Sequence, residues 1–378
     1  MRALVLAALL TAAPLALQAQ WSIQTPTTAD LRGIDNVGKG IAWASGTNGT
    51  VLRTEDAGYL WQACTIPPNA EHLDFRAIQA FDANTAIVMS SGPGDQSRLY
   101  KTTDGCQTWT LLFTNPDKTG FWDALIFRNK YSGWLLGDPV DGTFVIATVD
   151  PEGGQSVISD MNSAAHWRDA RFAKQLQAFG RGAFAASNSS LLLSPGGAPL
   201  DKCERSEMWF GTSGPNGAKV FRFTLDFHPA CADSAIYNWF SADVPIAGSN
   251  SSSGAFSLGA EDDRSLVAIG GDYLKPDQRN GTAAYSDDGG KTWLAATTPP
   301  HGYRSSVAYD PATRTWITVG PNGTDISTDD GRNWRPLHPS NNEAPDADQH
   351  WNALSLPYAV GPRGRIGLLN PSALTKPQ

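Results

Sequence analysis

Short apolar runs, roughly four to eight residues long, recur along the chain and are broken by Gly, Pro, Asn and Asp. That length and those breakers predict β-strands joined by turns. The runs come in groups. LRGIDNV (31–37), GIAWASG (40–46) and TVLRT (50–54) form the first, and FRAIQAF (75–81), TAIVMSSG (85–92) and RLYKT (98–102) the second. FWDALIF (121–127), GWLLGDPVDG (133–142) and TFVIATV (143–149) follow, and then GAFAAS (182–187), MWFGTSGPNG (208–217) and AKVFRFT (218–224). A fifth group starts at Gly254 and continues through SLVAIGGDYL (265–274) and AAYS (283–286). The last two are YRSSVAY (303–309), TWITVGPNG (315–323) and TDIS (324–327), and then WNALSLP (351–357), YAVGPRG (358–364) and RIGLL (365–369). A strand-rich unit repeated at near-regular spacing is the mark of a repeat architecture, here all-β.

An octet closes several of these groups. SDDGGKTW (286–293) and STDDGRNW (327–334) fit S-x-D-x-G-x-x-W, TEDAGYLW (54–61) fits with Thr for Ser, and TTDGCQTW (102–109) departs only at Cys106. The hydroxyl and the carboxylate can bond nearby backbone N–H groups, Gly supplies a positive φ, and the Trp opens the next strand with a large apolar surface.

This octet resembles the Asp-box, and the chain resembles the BNR/Asp-box propellers of the sialidase-like superfamily. The resemblance implies a seven-bladed β-propeller of four-stranded antiparallel blades, with six blades as the rival count. Each blade reads as inner, second and third strand, box turn and outer strand. Group four is irregular, with GAFAAS as its inner strand and insertions at 188–207 and 225–236. The last unit lacks an outer strand, which residues 21–25 near the N-terminus would supply, closing the ring and leaving no open edge.

The remaining composition narrows the setting. Gly 37, Pro 25 and Trp 13 suit short strands and turns, and a formal net charge of −8 argues against general nucleic-acid binding. Arg2 followed by an apolar run to Leu17, then Leu17-Gln18-Ala19, reads as a cleaved leader over residues 1–19. The expected organisation is one propeller over 20–370 and a short tail over 371–378, periplasmic or secreted, monomeric, with no membrane span. Cys64, Cys106, Cys203 and Cys231 suit two disulfides in an oxidising compartment, and three pairings are open. The propeller register favours Cys64–Cys106 and Cys203–Cys231, each pair lying on one face of the ring.

In propellers of this topology the boxes lie on one face and ligands meet the other, so the boxes are read as structural. Aligning the inner strands sets Arg32, Arg76, Trp122, Arg304 and Asn352 at one position. Arg304, Asn352, Arg32 and Arg76 then form an arc at the channel mouth, suited to carboxylate or phosphate groups. The bland alternative pairs each Arg with a carboxylate such as Asp74 or Asp123. Asp138, Asp141, Asp272 and Tyr273 lie in longer loops on the same face. Asp346, Asp348 and His350 alternate before the last unit, and a solvated acidic loop is the expected reading over a metal site. No cofactor or metal is expected: Gly289–Thr292 lacks the rest of a P-loop, and there is no G-x-S-x-G or G-x-G-x-x-G opening a helix.

The inner-strand openings LRGI, FRAIQAF and YRSSVAY, with the GxxG turns and the boxes, are similar to the photosystem II stability/assembly factor-like propellers. That resemblance implies a non-enzymatic binding platform for a protein or anionic ligand, with Arg32, Arg76 and Arg304 as counterparts of its arginine patch. The group-four insertions and the cysteines depart from it. The alternative is a glycosidase. A sialidase would use three such arginines with Tyr303 or Tyr273 as nucleophile, but its Arg-Ile-Pro signature is absent; any glycosidase needs two placed carboxylates, from among Asp74, Asp123, Asp138 and Asp272.

Overall fold

A computed structural model describes residues 20–152, 158–160, 177–195, 204–227, 235–339 and 343–375. The expected leader at 1–19 lies outside them. Seven four-stranded antiparallel sheets form the blades of a propeller. Blade 1, for example, is Leu31–Gly38, Ile41–Gly46, Val51–Thr54 and Gln62–Ala63 in spatial order. Blade 7 is built from both ends of the chain. Trp21–Gln24 pairs antiparallel with Ile366–Leu369, Trp21 opposite Leu369, and so becomes the outer strand beside Tyr358–Val360 and Ala353–Ser355. Seven blades, closed by the N-terminal strand, is thus the observed count. Beyond residue 370 the helix Ser372–Thr375 packs Ala373 and Leu374 into the cluster between blades 6 and 7. No helix among the described residues is long and apolar enough to cross a membrane.

The core is divided among the seven seams between blades, and strand periodicity explains how. Successive side chains point to opposite faces of a sheet. In Ala86–Ser90, Ala86 and Val88 pack toward blade 1, while Ile87 and Met89 pack toward blade 3. The second strand of each blade is covered on both faces, which is why it reads as an unbroken apolar run. Trp43, Trp134, Trp209 and Trp316 lie on these strands and are fully buried, the first three facing the following blade and Trp316 the preceding one.

The octets fold alike. Ser327 Oγ accepts the Gly331 N–H at 3.1 Å and Asp329 Oδ1 accepts the Asn333 N–H at 2.9 Å; Thr102, Asp104, Cys106 and Thr108 repeat this at 3.0 and 3.0 Å. The fourth position also takes a positive φ, as Ala57 at 61°, Gly105 at 69°, Gly289 at 77° and Asp330 at 58°. Cys106 holds φ at 64° where the other three octets have Gly, and it is joined to Cys64 with their Cα atoms 5.3 Å apart. Cys203 and Cys231 lie outside the described residues.

Blade 4 departs from the sequence reading. Its inner strand is Leu191–Leu193, not GAFAAS, and its other strands are Glu204–Thr212, Lys219–Phe227 and Ala235–Asp243. The two insertions are correspondingly shorter, because strand pairing continues into both. GAFAAS belongs instead to a strap, residues 177–190, that crosses the channel mouth before blade 4 begins. Its partners come from several blades. The Ala183 N–H donates to Asp138 Oδ1 at 2.9 Å, Ser187 Oγ donates to the Ser305 carbonyl at 2.9 Å, and Asn188 Oδ1 accepts the Leu125 N–H at 2.8 Å. A segment satisfied from so many directions is not a strand of any one sheet.

Candidate ligand cleft

The loops joining second to third strands, and those leading into inner strands, emerge at the face opposite the octet turns. There they surround a cleft of about 1040 Å³ on the channel axis. Arg32, Arg76, Asp138, Tyr273 and Asn352 all line it, and so do Asp123, Arg181 and the strap residues 180–186.

Arg32 and Arg76 stand side by side because each is the second residue of its inner strand in neighbouring blades. Their side chains are equally accessible, at 29%. Arg76 donates through Nε to Asp74 Oδ2 at 2.9 Å and through Nη1 to the Ala185 carbonyl of the strap at 3.3 Å. Arg32 is different: its Nε has no hydrogen-bond partner, and it approaches Asp74 Oδ1 only to 4.0 Å. Two guanidinium groups therefore share the Asp74 carboxylate at this wall. Asn352 donates its amide to the Leu31 carbonyl at 2.8 Å, tying blade 7 to blade 1 beside them.

Arg304 does not join this arc. It is fully buried, donating through Nε to Asp325 Oδ2 at 2.9 Å, through Nη1 to Asn322 Oδ1 at 2.5 Å, and through Nη2 to Asp325 again. Burial opposes ionisation of Asp325, but Arg304 and His301 hold its carboxyl below the ordinary value. Trp122 is also buried, against Phe113 in the seam between blades 2 and 3. Asp272 is 6% exposed and accepts bonds from Ser252 Oγ at 2.7 Å and the Leu274 N–H at 3.0 Å. It shapes the loop that presents Tyr273, and does not itself line the cleft. His350 lies 3.7 Å from Asp346, while Asp348 is buried away from them. Among the described residues no three His, Cys, Asp or Glu side chains gather as a metal-ligand set.

Two further groups stand on the wall: Asp123, read from sequence as a possible partner of an arginine or a candidate carboxylate, and Arg181, which sequence did not single out. Asp123 is buried, its Oδ2 has no hydrogen-bond partner, and burial followed by repulsion from Asp138 pushes its carboxyl well above the ordinary value, with Arg76 acting against them. Arg181 is 7% exposed and donates through Nη1 to the carbonyls of Ser213 at 3.2 Å and Gly217 at 2.6 Å. Its place between Gly180 and Gly182, in a stretch read as the approach to a strand, gave no signal of either role.

The opposite wall is aromatic. Phe184 of the strap stacks on Phe256 with ring centroids 3.6 Å apart, and Tyr303 meets Phe256 edge-on at 5.0 Å. Tyr273 meets Phe256 and Tyr303 at 6.1 and 6.5 Å and is 49% exposed.

These features define a seven-bladed β-propeller with an axial cleft that is cationic on one side and aromatic on the other. No family model and no curated protein matches the chain. Among solved structures it resembles "YCF48 bound to D1 peptide" at 17% identity, covering 93% of this chain and 97% of that one, with a TM-score of 0.57. YCF48 from Cyanidioschyzon merolae resembles it at 17% identity over 94% and 100%, TM-score 0.56. The WD40 propeller domain of Doa1 does so at 11% identity over 94% and 99%, TM-score 0.53. At these identities the likeness is one of fold.

Proposed function

We propose that this protein is a non-catalytic binding propeller that captures an anionic segment of a partner protein in the axial cleft, outside the cytoplasm, as an aid to assembly or stability of an envelope complex. The observation that carries the reading is Arg32, whose guanidinium side chain is 29% accessible on the cleft wall and stands 4.0 Å from Asp74, a carboxylate already engaged by Arg76 at 2.9 Å. An Arg left in this state favours a carboxylate that arrives with the ligand, bound through charge-assisted bonds. A relative in fold is described as bound to D1 peptide, which supports the same class of ligand. The Cys64–Cys106 disulfide and the leader-like N-terminus support the extracytoplasmic location.

The test is fluorescence anisotropy with a labelled nonapeptide carrying several Glu residues. Binding is expected to weaken at least tenfold in the Arg32→Gln/Arg76→Gln variant and to fall with added salt. Equal binding by that variant would end the proposal.

A second reading, a glycoside hydrolase, has one observation in its favour: Asp123, whose carboxyl burial pushes well above the ordinary value, shares the cleft with a second carboxylate, Asp138. Turnover of fluorogenic glycosides that disappears in Asp123→Asn would establish it in place of the first.

A further inference from the structure

The proposed anionic segment uses only one wall of the cleft. The other wall offers a different chemistry, and adjacent residues of the strap touch both. Ala185 holds Arg76 through its carbonyl, and the adjacent Phe184 stacks on Phe256. The guanidinium and aromatic sides are therefore joined by consecutive residues of the strap, so a short extended peptide can lie along both.

Tyr273 is the accessible member of the aromatic wall. Phe256 is 2% and Tyr303 5% exposed, but Tyr273 is 49% exposed, and the next residue, Leu274, is 70% exposed. Its ring is propped from behind by edge contacts to Phe256 and Tyr303, and its loop is pinned by the bonds that Ser252 and the Leu274 N–H make to Asp272. A rigid aromatic side chain with one free face, standing at the mouth of a cleft, is the usual form of an apolar anchor in peptide recognition. Phe121 and Trp351 extend the apolar lining toward the arginines.

We propose that the ligand is recognised at two points: an acidic group meets Arg32 and Arg76 while an aromatic or branched apolar side chain, about three positions away, packs on Tyr273. The partner class is thus an extended peptide segment in which acidic and bulky apolar residues lie close together, rather than an acidic run alone. This deepens the reading above and rests on it for the acidic half only.

Two labelled nonapeptides separate the halves, one with Glu among Gly and Ser, the other with Glu and Phe three positions apart. Anisotropy titrations are made with the wild-type chain, with Arg32→Gln/Arg76→Gln and with Tyr273→Ser. Ser at 273 should weaken binding of the Phe-containing peptide at least fivefold and leave the acidic peptide within twofold of wild type. The arginine variant should weaken both. Equal losses for the two peptides in Tyr273→Ser, or no loss for the Phe-containing one, would overturn the aromatic anchor while leaving the arginine reading intact. If the arginine variant keeps full affinity but Tyr273→Ser does not, the anionic reading fails and the anchor stands. Thermal melting of Tyr273→Ser matching wild type excludes a folding defect, as its exposed loop position leads us to expect.

Discussion

Asp123 illustrates what a single buried carboxyl does to a site. Native protein holds its proton more tightly than unfolded chain does, since burial lifts it well above the ordinary 3.8. The sign follows from linkage. Between 3.8 and the raised native value the folded state binds more protons, so the stability associated with this group is full at low pH and declines as pH rises through that window. Asp123→Asn removes the titration. It should be nearly neutral at the acid end and increasingly stabilising relative to wild type as pH rises. Denaturation midpoints of the two proteins measured across that range check it; parallel profiles would show that Asp123 is not the titrating group. The arginines give the complementary lesson. Arg32, Arg76 and Arg304 hold the same register position, and nothing in that position distinguishes them. The difference lies two residues before each octet, where blade 6 has Asp325 but blades 1 and 2 have Leu52 and Tyr100. A carboxylate there captures Arg304 inside its own blade, and apolar residues there leave Arg32 and Arg76 directed to the cleft. The cue is present in the sequence, but it gains meaning only once the third strand is seen beside the first.

At the scale of elements, the octet turns are legible because their information is local: hydroxyl, carboxylate, positive-φ residue and Trp all act within eight residues. Cys106 tests how strong those local rules are. It takes φ at 64°, a region that disfavours a side chain, in return for a disulfide that closes 42 residues of chain. Chain entropy puts the bond at about 4 kcal/mol for a loop of this length. The Cys64→Ser/Cys106→Gly variant restores the octet's Gly and should lose about 3 kcal/mol by chemical denaturation. Cys64→Ser/Cys106→Ser should lose about 1 kcal/mol more, the approximate cost of a side chain at positive φ. Equal stability of the two variants would show that the turn is not strained. The strap is the opposite case. GAFAAS has the composition of a short strand, but its bonds run to Asp138, Arg76, Ser213 and Ser305, in separate blades. No window of sequence contains those partners, so pattern alone assigns it to the nearest sheet.

For the whole molecule, stability is shared among seams, and the seam between blades 6 and 7 draws on a four-residue strand. Trp21 is buried against Trp351, with ring centroids 4.9 Å apart, and lies in the cluster between blades 6 and 7. Deleting residues 20–25 removes that indole, worth about 3–5 kcal/mol by analogy with large-to-small substitutions, and leaves Ile366–Leu369 as an open edge. The truncated protein should melt lower and elute as dimers or larger species in size-exclusion chromatography. A monomer with unchanged melting would show that the ring closes without this strand. The closure also imposes an order of events on the living chain. Trp21–Gln24 is made before the six other blades, and its partner Ile366–Leu369 after all of them. Those six can assemble as they emerge, but Trp21–Gln24 must wait unpaired until residue 369 has left the ribosome, so ring closure is the last of the blade pairings that translation permits.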